Sequence, residues 1–80
     1  MNDRDILQHI EQLVNEEHTL LQRAEEIGLD EAEHARMKEL EVNLDQCWDL
    51  LRQRRARRAA GLNPDEAKVR DPAIVEHFQQ

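Results

Sequence analysis

The sequence predicts an all-α fold: an antiparallel helical hairpin with a short helical C-terminal tail, pairing with a second hairpin into a four-helix bundle. Three observations carry this expectation. Apolar residues recur at helical spacing through two long stretches. The only two glycines, Gly28 and Gly61, stand where those stretches end. Residues that build sheets are scarce: Trp48 and Phe78 are the only aromatics, Thr19 is the only threonine, and serine is absent.

The first helix is expected over residues 3–27. Asn2 or Asp3 can cap it, and early acids suit its dipole. Ile6, Ile10, Leu13, Leu20, Ala24 and Ile27 follow a 4-3 pattern that Glu17 interrupts. Leu7, Val14 and Leu21 form a second apolar row beside it. Gly28 is a helix stop. Asp30 and Glu33 then make a D-x-x-E capping pattern, and the second helix is expected over residues 31–60, with Gly61 as its stop. Its seam is Met37, Leu40, Leu44, Cys47 and Leu51, in a 3-4-3-4 heptad spacing. Trp48 and Leu50 flank that seam. So short a connection makes the two helices antiparallel, with Ile6 near Leu51. Asn63-Pro64-Asp65-Glu66 and Asp71-Pro72 are further helix starts. The tail, 64–79, is therefore expected as two turns, 64–69 and 72–79, docking Ile74, Val75 and Phe78 on the hairpin. All 80 residues form one domain.

Charge is unevenly spread over a net of −7. Residues 1–51 hold 14 acids and four bases, whereas residues 52–60 hold five arginines and no acid. An acidic body with one basic end suits assembly or an acidic partner better than general nucleic-acid binding. Arg54, Arg55, Arg57 and Arg58 are the candidate polar partner-binding residues. They can serve the helix C-terminus, pair with Asp3 and Asp5 across the hairpin, or hold a polyanion. A nucleic-acid stripe would bring lysines or stacking aromatics with it, so acid pairing is the preferred reading.

Glu31-Ala32-Glu33-His34 has the E-x-x-H spacing used in di-iron carboxylate bundles. It falls in the first helical turn, where acids are ordinary caps, and its phase sends Glu31 outward. His9 and His18 are nine residues apart, which is no helical metal-ligand spacing. Cys47 is the only cysteine, so no intramolecular disulfide forms. It reads as a buried structural thiol. Glu17, on the seam, reads as a partly exposed register marker or as the target of a basic group from another chain. No phosphate loop, dinucleotide fingerprint or serine triad is present. No metal, cofactor or catalytic residue is assigned, and an enzyme is not expected. No apolar signal core or membrane-spanning run occurs, so the expected location is the cytoplasm, with no membrane partner.

The stretch EHARMKELEVNLDQCWDLLRQRRARRAAGLNPDEAKVR resembles a family of uncharacterised small bacterial proteins, domain of unknown function 2630. The run LDQCWDLLRQRRARR, residues 44–58, is its most distinctive part. The resemblance covers almost the whole chain. It implies a small, helical, cytoplasmic bacterial protein and brings no activity, substrate or cofactor.

The function expected is therefore a non-catalytic, self-associating interaction or scaffolding module. Leu7, Val14, Leu21, Trp48 and Leu50 are the interface candidates. The homo-oligomer would be a dimer or higher even state, and an unidentified protein partner is a further option. The alternatives are a small polyanion or nucleic-acid binder using residues 52–58 and, more weakly, a metal-carboxylate helical bundle.

Overall fold

Two long helices, α1 (Asp3–Glu26) and α2 (Glu31–Ala59), form an antiparallel hairpin. A 3-10 turn (Pro64–Glu66) and a short helix, α3 (Pro72–Phe78), follow. The computed structural model describes residues 2–78, with side chains described for residues 2–75. No strand occurs among the described residues.

Local chemistry sets the helix ends. The Asn2 side chain accepts a hydrogen bond from the Asp5 N–H at 2.9 Å, and the Asp5 carboxylate accepts from the Asn2 N–H in return. Asp30 and Glu33 repeat this reciprocal box at 2.8 and 3.1 Å. Each box satisfies backbone donors that a helix start leaves open. At the other ends, Gly28 and Gly61 take φ of 80° and 75°, left-handed values that cost a side-chain-bearing residue ~1–2 kcal/mol. The Gly28 N–H donates to the Ala24 carbonyl. At the second stop, Gly61 donates to Arg58 and Leu62 to Arg57, the paired bonds of a Schellman motif.

The core lies along the seam between the helices. Ile6, Ile10 and Leu13 of α1 pack with Leu40, Leu44 and Leu50 of α2. Leu20, Cys47, Leu51 and Ala67 close its margins. Ion pairs mark the register from the loop outward: Arg23 with Glu33, Arg36 with Glu16, and Arg54 with Asp3. Glu16, not Glu17, therefore takes the mid-hairpin cation. Glu17 is half-buried and has no ion-pair partner among the described residues.

The tail turns back along α2. Its first helical turn is shorter than expected, ending at Glu66. From Ala67 the backbone is extended (ψ 141°), and its carbonyls point to α2 instead of closing helical bonds. Gln53 donates to the Lys68 carbonyl and Gln46 to the Arg70 carbonyl. Asp71 precedes a proline, which disfavours helical backbone at that position. Its side chain then accepts from the Ala73 N–H and starts α3. Val75 is fully buried, whereas Ile74 stays about half exposed. The expected docking of Phe78 lies outside the described side chains.

Candidate interaction face

At the open end of the hairpin, most of the arginine run is committed to acids of the same chain. Arg54 is buried and donates to Asp3, to Asp65 at 3.0 Å and to the Pro64 carbonyl at 3.1 Å. Arg58 donates to the second oxygen of Asp3 at 2.8 Å, and Arg57 reaches Glu66 at 3.4 Å. Asp5, expected as another partner, instead closes the α1 capping box. Of the four arginine candidates, only Arg55 is exposed with no acidic partner among the described residues. Hydrogen bonds from Arg58 and Arg54 lower the Asp3 carboxyl to a pKa of about 2.

The sequence reading missed Asp49. This carboxylate is 0% exposed. Arg70 grips it with two nitrogens, Gln53 donates to it at 2.9 Å, and Arg52 stands 3.7 Å away. The Arg70 hydrogen bonds hold its pKa below the usual carboxylate range. Gln46, Asp49 and Gln53 form one polar row on α2 at 3-4 spacing, and all three bind either the tail or each other. That row was the available signal, but its partner Arg70 lies 21 residues away in an extended segment.

The tail also changes the standing of Leu50. Expected as an interface residue, it is only 7% exposed and belongs to the hairpin core. It faces the side of α2 that the tail approaches. There it lines a cavity of about 260 Å³ with Ile6, His9, Asn43, Gln46, Cys47 and Val69. Burial raises the Cys47 thiol pKa, so less of it is the nucleophilic thiolate at neutral pH.

The remaining four apolar candidates share the opposite side. In an antiparallel pair, the residue that follows a seam position points to the same side on both helices. Leu7 follows Ile6, Val14 follows Leu13, Leu21 follows Leu20, and Trp48 follows Cys47. All four are 44–50% exposed. The tail-binding row of Gln46, Asp49 and Gln53 is turned well away from Trp48 on the α2 circumference. The tail therefore leaves this stripe open. From Leu7 to Leu21 it runs ~21 Å along α1 at ~1.5 Å per residue.

The E-x-x-H residues are used as helix-start chemistry. Glu33 closes the capping box and pairs with Arg23, while Glu31 and His34 are exposed. Among the described residues, no three His, Cys, Asp or Glu side chains gather as a metal set. No helix among them is long and apolar enough to cross a membrane.

The paired carboxylates set an expected acid response. Asp3, Glu16 and Asp49 all have lowered folded-state pKa values, through Arg58 and Arg54, Arg36, and Arg70 respectively. Such groups contribute stability above the unfolded-state values of ~4 and lose it as pH falls through the folded-state values. The melting temperature should fall progressively below pH ~4, with the Asp3 contribution lost near pH 2. Thermal melts by circular dichroism at stepped pH check this; a melting temperature that rises below pH ~4 rejects it.

A family model described as "Protein of unknown function (DUF2630)" matches residues 2–80. The chain is also similar to uncharacterized protein Rv0898c of Mycobacterium tuberculosis and uncharacterized protein Mb0922c of Mycobacterium bovis. Each is 46% identical over 77 residues, covering 95% of this chain and 88% of the relative. No solved structure matches.

Proposed function

Given that the chain belongs to the DUF2630 family, we propose that it is a non-catalytic cytoplasmic interaction module that pairs with a second copy of itself into a four-helix bundle. The observation that carries this reading is the open stripe of Leu7, Val14, Leu21 and Trp48, each about half exposed on the face away from the tail. Burying the half of each side chain that is still exposed gains roughly 0.7–1.5 kcal/mol, about half the value for full burial. A heptad row on a long helix is also the surface into which another helix packs. A single unpaired, half-buried cysteine suits a reducing compartment. The arginine end supports the polyanion reading less well, because Arg54, Arg57 and Arg58 already bind acids of their own chain.

Sedimentation equilibrium at micromolar concentration tests the reading. Wild type should have the mass of a dimer. Val14→Glu with Leu21→Glu places charge on the stripe and should weaken association at least ~100-fold, since two buried apolar side chains are lost per protomer. A monomeric wild type, or a dimer unchanged by the double substitution, rejects it.

A further inference from the structure

We propose that the two copies pack α1 against α1 head to tail, about a two-fold axis passing beside Val14, with Arg55 of each copy meeting the Glu25–Glu26 end of the other. This rests on the self-pairing just proposed and specifies its geometry. Two independent observations carry it.

The first is the symmetry of the stripe. Leu7 and Leu21 lie seven residues on either side of Val14. Reversing one α1 against another about Val14 lays Leu7 on the partner's Leu21 and Val14 on Val14. Both copies thus offer the same patch to one another, as a two-fold interface requires.

The second is charge. At the arginine end, residues 2–9, 48–58 and 64–66 hold six arginines and five acids; at the loop end, residues 20–40 hold three bases and six acids. Arg54, Arg57 and Arg58 are bound within the chain, but Arg55 is not paired among the described residues. It stands seven residues after Trp48, in the same α2 row and so on the stripe side. At the loop end, Glu25, Glu26 and Glu31 are exposed and have no ion-pair partner among the described residues. The Arg54–Asp3 pair sets Arg55 level with the start of α1. That is ~17 Å from Val14 at ~1.5 Å per residue, and Glu25 lies a similar distance beyond Val14 the other way. Head-to-tail packing therefore brings Arg55 to the partner's acids. The two-fold axis parallel to the helices would instead stack acid end on acid end, and like charges resist that.

Disulfide trapping in a Cys47→Ala background separates the arrangements, because a disulfide needs Cα atoms within ~7 Å. Val14→Cys should trap with itself. Leu7→Cys should not trap alone, but should trap when mixed with Leu21→Cys. Arg55→Glu and Glu25→Arg should each weaken the dimer about fivefold from two symmetry-related surface pairs, and the double charge swap should restore it. Circular dichroism confirms that each variant is folded. A dimer in which Leu7→Cys traps alone, Val14→Cys does not trap, or the swap fails to restore affinity overturns this arrangement while leaving self-association standing. A monomeric wild type overturns both.

Discussion

Arg70→Ala is expected to lower the unfolding free energy by about 3 kcal/mol, the range measured when one partner of a buried ion pair is removed. Asp49 is completely buried, and Arg70 supplies two of its hydrogen bonds. Without Arg70 the carboxylate keeps Gln53 at 2.9 Å and a distant Arg52, too little to offset the loss of water. An 80-residue domain has a total stability of roughly 4–12 kcal/mol. This one substitution should therefore lower the melting temperature by roughly 15 °C. The double variant Asp49→Leu with Arg70→Leu should lie close to wild type, because it removes the charge together with its partner. Urea unfolding of the three proteins checks the comparison. A double variant as unstable as Arg70→Ala would show that the tail contributes through contacts other than this ion pair.

Leu40→Ala is the second large effect, at about 3–4 kcal/mol. Leu40 has no exposed surface and sits in the cluster with Ile6, Ile10, Leu13 and Leu44. Truncation removes its transfer free energy and leaves a cavity between two helices that cannot fully collapse. Leu21→Ala, on the half-exposed stripe, should cost under ~1 kcal/mol when measured in dilute protein. Equal losses at the two positions would mean that the stripe is buried even in dilute solution. Denaturant melts across a concentration series distinguish these cases, since only a dimer gains stability with concentration.

The hairpin was legible because its signals are local. Gly28 and Gly61 stop the two long helices, the Asp30–Glu33 box starts the second, and the heptad row names the core face. At the start of α1, where Asn2 and Asp3 were both candidates, Asn2 takes the cap with Asp5 as its N3 partner. The pairing of the arginines with Asp3 followed from the antiparallel register alone. The tail was harder to read. Asp49 looks like any charged residue on a helix until Arg70 arrives from 21 residues away, and extended segments carry no periodicity that fixes their path. The misplacement of Leu50 has a more local origin. It lies nearer the seam than Trp48 does and packs with Ile6, Ile10 and Leu13 of α1 on the side the tail also approaches, whereas Trp48 is left open.

The closure at the open end bears on how the protein is made. The connection between the two long helices is four residues, so contacts near it form with little loop entropy. Asp3, however, must wait for Arg54, 51 residues downstream, and for Arg58, 55 residues downstream. At ~5–20 residues per second, a nascent chain carries α1 unpaired at this end for roughly 3–10 s. Its capping box and early acids need nothing from α2, so they can hold the helix start through that interval. Only after that interval can Asp3 pair with Arg54 and Arg58, and the tail, which follows α2 in the chain, can dock only once α2 has been made.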